Sequence, residues 1–262
     1  MYGMLVFESV IRESGHECFN GLQVVQVYDE RGAVARALAP PFSGYPLPME
    51  PRRLDIAFVS DVACPWCAIG LASLDQALAR LPDGVEATVR VEPFELNPDM
   101  GAEGAEVVPY LARKYGRTPE QVAQTQARIR ERGAAVGFNF GTRKHVWNTF
   151  DAHRVLHWAG LEGRAVELKR ALLRAYHGEG RNPGARDVLV ELAGEVGLDT
   201  ARAKAIVESD EFAAEVRERE RYWQELGVSG VPFVVVNGMH AIEGAQPPEA
   251  FEQALRQIAF SR

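Results

Sequence analysis

The chain has 262 residues, enough for one large domain or two small ones with a sizeable core. A hydrophobic fraction of 47% and a charged fraction of 25% are ordinary for a globular protein, and no run is long enough to span a bilayer. A net charge of −7 argues against nucleic acid as a partner, and three cysteines, an odd number, do not suit a disulfide-stapled secreted fold.

Residues 1–51 differ from the rest. MYGMLVFESVIRESG has a short apolar patch but no basic segment before it and carries Glu8, so it makes a poor secretory signal. Leu22 to Tyr28 and Gly32 to Leu38 have strand character around Asp29-Glu30-Arg31-Gly32 and suggest a hairpin. APPFSGYPLPMEP follows, a linker that is neither helix nor central strand because five prolines interrupt it. Met49 stands just before the regular pattern begins. Two readings fit: translation starts there and residues 1–48 are a start-site artefact, or they form a genuine extension. Cys18 lies in this stretch and reads as an incidental thiol.

Leu54 to Val59 is a short apolar run of strand length. Ala68 to Leu81 repeats apolar residues at helical spacing: Ile69, Leu71, Leu74, Leu78, Leu81. Between them stands Cys64-Pro65-Trp66-Cys67, where a strand hands over to a helix. Pro65 suits the first helical turn, where its missing N–H costs nothing. A helix N-terminus presents free N–H groups and a partial positive charge, which stabilise a thiolate. Cysteines so placed have pKa values of roughly 3.5–7.5. Cys64 is therefore the expected attacking sulfur. Cys67, one turn on, is in reach to resolve a mixed disulfide. Competing readings are half a zinc site, buried filler and a static structural disulfide. The zinc reading lacks ligands, since only Cys18 remains and no His pair stands at a suitable distance.

Pro82-Asp83-Gly84 makes a turn, and Val85 to Phe94 alternates as a second strand, parallel to the first. From Gly101 to about Leu226 the pattern is helical, with candidate helices over Val107–Tyr115, Pro119–Val136, Thr149–Ala159, Gly163–His177, Ala185–Val196, Thr200–Ser209 and Glu211–Leu226. Thr118-Pro119-Glu120-Gln121 supplies a cap, a proline and an acid in the first turn. Phe233 to Val236, Asn237-Gly238 and Met239 to Ile242 read as a hairpin, and Pro247-Pro248 opens a last helix through Ile258. The expected fold class is α/β: a thioredoxin-like fold with a large all-helical insertion between the second strand and the C-terminal hairpin. Residues 52–100 and 228–262 form the thioredoxin-like part, and 101–227 the insertion.

SDVACPWC, PFELNPDM, NTFDAHRVLHWA, AYHGEGRNPGARDVLVELAGEVGLD, GVSGVPFVVVNG and GAQPPEAF together resemble the DsbA-like thioredoxin superfamily, and within it the FrnE-type dithiol-disulfide oxidoreductases and isomerases. The resemblance runs from about Leu54 to Ile258. It implies Cys64 and Cys67 as the redox pair and a cis-proline loop at Val231-Pro232 facing the disulfide. Such a loop leaves the Val231 backbone free to pair with an extended substrate. Some FrnE-type proteins carry a second cysteine pair in a C-terminal extension, and no cysteine follows Cys67 here.

Other residues carry weaker signals. Trp66 is an apolar contact for substrate, or else is partly buried against the insertion. Asp61 reads as a turn or cap before it reads as a proton acceptor. Asn148, His153 and Arg154 line a cleft between the insertion and the thioredoxin core, or else buttress a helix. His153 and His157 stand four apart, but no third ligand is evident and no metal is expected. Glu215 to Glu225 reads as a solvated helix face. The functional expectation is a cytoplasmic thiol-disulfide oxidoreductase or isomerase acting on protein or small-molecule thiols and disulfides. It needs no dissociable cofactor and has no membrane partner, and glutathione is a possible co-substrate. The alternative is a glutathione-dependent isomerase or transferase acting on a small aromatic substrate. A third is a binding module that keeps the pair as a structural disulfide.

Overall fold

The computed structural model describes residues 51–261 throughout and, before them, the strands β1 (Val25–Tyr28) and β2 (Val34–Ala37). The chain divides between residues 49 and 50 into two units. In the first, β1 and β2 pair antiparallel, with Val25 opposite Ala37 and Tyr28 opposite Val34. The connecting turn, Cys18, the proline-rich linker and Met49 lie outside the described residues.

The second unit is built on a four-stranded sheet in the order β4-β3-β7-β8, formed by β3 (Arg52–Ser60), β4 (Val85–Pro93), β7 (Phe233–Val236) and β8 (His240–Glu243). Strand β4 runs parallel to β3, and β7 antiparallel to it, with Ile56 opposite Val236 and Phe58 opposite Val234. The central strand β3 is apolar on both faces because both are covered. Leu54, Ile56 and Phe58 pack with Leu71 and Leu74 of α1 (Pro65–Leu78) and Phe251 and Leu255 of α9 (Pro248–Phe260). Ala57 and Val59 point to the other face and meet Phe94, Trp223 and Val228.

Between β4 and β7 the chain forms α2 (Val107–Tyr115), α3 (Pro119–Ala135), α4 (Phe150–Leu161), α5 (Ala165–Leu173), α6 (Arg186–Glu195), α7 (Thr200–Val207) and α8 (Ala213–Glu225). This is the thioredoxin-like arrangement with a helical insertion. The insertion's own core gathers Val155, Leu156, Leu168, Leu172, Leu189, Leu192 and Ile206, and it also takes in Val62 and Ala63 from the loop ahead of the cysteines. Thr118 and Gln121 form the capping box that starts α3.

Three differences from the sequence expectation have physical reasons. The helix expected over Gly163–His177 is α5 followed by a π-turn at Arg174–Gly178, which turns Tyr176 and His177 into the core. Two-residue strands β5 (Ala105–Glu106) and β6 (His145–Val146) pair across forty residues, a contact with no local signal. The run Glu215 to Glu225 is solvated on one side only. Val216, Glu220 and Trp223 are buried, and Arg219 Nη2 pairs with Glu92 of β4 at 2.9 Å.

Gly70 marks where α1 meets the loop before β7: a Cβ there would lie 2.9 Å from Pro232 Cγ. In a free helix Gly→Ala stabilises by about 1 kcal/mol. Here the clash with a rigid ring reverses the sign, because overpacking costs about 1–3 kcal/mol. Gly70→Ala is expected to lower stability by about 1–2 kcal/mol in urea unfolding. An increase would show that the loop yields freely.

Candidate active site

Strand β3 ends at Ser60, and four residues later Cys64 is the N-cap of α1, with φ −89° and ψ 114°. Two backbone bonds shape the bend. The Cys64 N–H donates to Asp61 O at 3.3 Å, and the Cys67 N–H donates to Cys64 O at 3.1 Å. Both cysteines are free thiols. Cys67 is fully buried, whereas Cys64 keeps 3% of its surface and borders a cavity. Val231-Pro232 is cis, and the Cys64 thiol donates to the Val231 carbonyl at 3.4 Å.

The two thiols are driven in opposite directions. A hydrogen bond from the Cys67 thiol lowers the Cys64 pKa against the penalty of burial, helped by the N–H groups of Cys67 and Trp66. The Asp61 charge works the other way. Burial raises the Cys67 pKa well above the ordinary thiol value, and the neighbouring Cys64 raises it further. Lys169 pulls it partly back. The pair therefore sets the more acidic thiol at the cavity and the less acidic one behind it.

The loop between β3 and α1 is fastened from the insertion. Lys169 of α5 is fully buried and donates to Ser60 O at 3.3 Å. His177 Nε2 lies 2.9 Å from Val62 O, and Arg143 donates to Ala63 O at 3.2 Å. Burial and then the charge of Arg143 keep His177 neutral, so Nε2–H is the donor. Asp61 accepts from the Ala63 N–H at 3.0 Å, the Leu96 N–H at 2.7 Å and Thr149 Oγ1 at 2.8 Å, with His153 Nε2 at 3.3 Å. The turn role read for Asp61 is thus one of four contacts.

Trp66 is half-buried and lines the cavity with Cys64 and Pro65. Of the three residues expected to line a cleft between the insertion and the thioredoxin core or else to buttress a helix, His153 borders a cavity between β4 and α4, and none of the three borders the cavity at Cys64. Asn148 donates to Met100 O at 2.9 Å and accepts from the Phe150 N–H at 2.8 Å, holding a loop. His153 is buried against Asp61. Arg154 is buried and donates to Glu211 O at 2.8 Å and Ile206 O at 2.6 Å, tying α4 to the ends of α7 and α8. Polar residues near a motif read alike from sequence whether they face a cavity or satisfy buried carbonyls. His157 packs against Phe212, and the described residues contain no cluster of three metal-ligating side chains.

The sequence reading missed Lys169, Arg143 and Arg117. Lys169 had a signal: with Leu172, Leu173 and Tyr176 it falls at i, i+3, i+4 and i+7 on one apolar helix face. The cavity has a volume of about 290 Å³, and its wall includes Leu96, Leu111, Tyr115, Val122, Ile129 and Arg143. A larger one of about 540 Å³ lies between β4 and α4, and neither cysteine borders it.

Comparison with known proteins agrees with this geometry. Residues 55–256 match the DSBA-like thioredoxin domain family. A probable DsbA oxidoreductase from Streptomyces coelicolor is 36% identical, with a TM-score of 0.75 over 80% of this chain and 91% of that one. The uncharacterised protein YwbO of Bacillus subtilis is 27% identical over 201 residues, 76% of this chain and 94% of that one. The cytosolic disulfide reductase DsbM from Pseudomonas aeruginosa is 21% identical, with a TM-score of 0.57 over 79% of this chain and all of that one, and shares the fold.

Burial favours a neutral Asp61, yet the hydrogen bond and charge of His153 with the Leu96 and Ala63 N–H groups prevail and hold its pKa at about 2. This folded value lies below the ordinary carboxylate value of about 3.9. The carboxylate therefore stabilises the fold above about pH 4, and that contribution is lost as pH falls toward about 2. Asp61→Asn is expected to reduce stability at neutral pH and to flatten the loss between about pH 4 and pH 2, measured by urea unfolding against pH. It also removes the anion that opposes Cys64 ionisation, so the pH profile of Cys64 alkylation should move down. A profile moving up would contradict the assigned electrostatics.

Proposed function

We propose that this chain, which belongs to the DSBA-like thioredoxin domain family, is a thiol-disulfide oxidoreductase working through Cys64 and Cys67. The observation that carries the reading is the opposed polarisation of the two sulfurs, with the more acidic one at the cavity. In the reducing direction the Cys64 thiolate attacks one sulfur of a substrate disulfide. The substrate S–S bond breaks, a Cys64–substrate disulfide forms, and the leaving thiolate takes up a proton from solvent. Forming that bond removes the negative charge on Cys64, which had been raising the Cys67 pKa. Cys67 then loses its proton more readily and attacks Cys64 Sγ. The second substrate thiol leaves and a Cys64–Cys67 disulfide remains. The protein has given two electrons and the substrate has taken two. Run backwards, the same steps pass a disulfide to a dithiol, and attack followed by release to a different partner isomerises one.

Val231 and Trp66 frame the attacking sulfur, and the Val231 backbone is the proposed pairing edge for an extended substrate. Lys169 acts through its charge on Cys67 and is a positioning residue. The electrons reside in the dithiol, so the exchange draws on no dissociable cofactor. Support for a cytosolic compartment comes from the odd cysteine count and from the cytosolic reductase of the same fold. No helix among the described residues is long and apolar enough to cross a membrane.

A glutathione-using reading shares the site and is favoured by the cations in the cavity wall, with a structure of DsbM with glutathione among the similar folds, at 20% identity and a TM-score of 0.51. It predicts a saturable glutathione dependence that survives Cys67→Ser.

Trapping tests the main reading. Cys67→Ala is expected to accumulate mixed disulfides, visible as adducts by mass spectrometry under non-reducing conditions. Cys64→Ser should form none and should lose at least about a hundredfold of the disulfide exchange rate, since a hydroxyl replaces the thiolate. Retained exchange in Cys64→Ser refutes the reading.

A further inference from the structure

We propose that the cavity beside Cys64 selects a small disulfide that carries carboxylates, held by Arg117 and Arg143. The inference rests on the oxidoreductase reading and names the substrate class of that same site. It starts from charge. In a chain of net charge −7, the stretch from Arg113 to Lys144 holds eight Lys or Arg residues and only two Glu. That stretch is the last turn of α2, all of α3 and the loop toward β6, and these elements supply much of the cavity wall beside Cys64.

The two arginines in the cavity wall are free to take an anion. Among the described residues, neither Arg117 nor Arg143 has a carboxylate within 4 Å, whereas most arginines on β4 and the later helices are paired. Arg117 sits exposed at the rim, its Nη1 donating to Thr125 Oγ1 at 2.7 Å. Arg143 lies deeper, against the Tyr176 ring, with Nη1 on Ala63 O and Tyr176 OH. Both therefore keep guanidinium donors available, in the fork geometry that suits a carboxylate. Leu96, Leu111, Val122 and Ile129 supply an apolar floor between them.

Size points to a small molecule. About 290 Å³ is at the lower end of the range for ligand pockets, and a second cavity of about 70 Å³ continues it past Pro65, Ile129 and Arg143. One arm of a small disulfide fits, with its sulfur at Cys64 and its carboxylates toward the two arginines. The redox step is the one given above: Cys64 Sγ takes one sulfur, the other leaves as a thiolate, and Cys67 closes the ring.

Three disulfides test the proposal. Pre-reduced protein, freed of reductant, is mixed with excess oxidised glutathione (anionic), bis(2-hydroxyethyl) disulfide (neutral) or cystamine (cationic). The rate of Cys64–Cys67 closure is read from tryptophan fluorescence and from the mass of the alkylated protein. The expected order is anionic, neutral, cationic, with the preference shrinking as salt rises. Arg117→Glu should cut the anionic-to-cationic rate ratio by about tenfold or more, while Arg143→Lys, which keeps the charge but loses the fork, should cut it by less. Arg186→Gln, exposed on α6 outside the cavity, should leave the ratio unchanged. A ratio unaltered by Arg117→Glu overturns the proposal while leaving Cys64 exchange intact. So does a protein that oxidises with acidic polypeptide disulfides but with none of the three small ones. Exchange that persists in Cys64→Ser instead sinks the underlying oxidoreductase reading.

Discussion

The rest of the structure depends on how the Ser60–Ala63 loop is held. Each of its four carbonyls has a donor: Lys169 on Ser60, the Cys64 N–H on Asp61, His177 on Val62 and Arg143 on Ala63. Three of the four donors come from the insertion. A loop passing from a buried strand to a buried helix start must satisfy these groups, because an orphaned buried carbonyl costs about 1–3 kcal/mol. The insertion therefore does more than cover the sheet. It fixes the backbone that aims Cys64, with Asp61 fastening the same loop to Leu96 and Thr149.

Such a site is electrostatically tense. A carboxylate, a lysine and two thiols lie buried within one loop and its supports. Burial lowers the Lys169 pKa, and Cys67, Asp61 and Cys64 push it back up. Asp61 stays charged because four contacts surround it, and its charge in turn restrains Cys64. A buried charge is tolerated where partners are complete, and breaking such a set costs more than the set contributes. The arrangement keeps Cys64 more acidic than a free thiol without letting Cys67 ionise at the same time. Each thiol's state therefore bears on the other's.

The sheet and the insertion divide the work. Strand β3, α1 and the loop before β7 bring Cys64, Cys67, Val231 and Pro232 together. Helices α2 and α3 with Arg143 build much of the cavity wall beside Cys64. Arg143 belongs to both sets, since it lines the cavity and also donates to Ala63 O in the loop ahead of Cys64, whereas Arg117 stands at the rim and bonds Thr125.

The sequence by itself determined a good deal. Apolar periodicity, a proline at the first helical position and two cysteines one turn apart are local signals, and they sufficed to locate the strand, the helix that starts at the cysteine pair, and the hairpin. Asn237-Gly238 does the same for the turn between β7 and β8. Tertiary structure alone decided which polar residues serve the site. Of the two readings open for Asn148, His153 and Arg154, buttressing holds for Asn148 and Arg154, and His153 both bonds Asp61 and borders the cavity between β4 and α4, while Lys169 and Arg143 bond the loop that carries Cys64 and Arg117 stands in the cavity wall. The reason is distance along the chain. Lys169 reaches Ser60 across 109 residues and Arg143 reaches Ala63 across 80, and no local pattern encodes such a meeting. Helix and strand propensities are written over a few residues, whereas the partner of a buried carbonyl is fixed only when the whole core has closed.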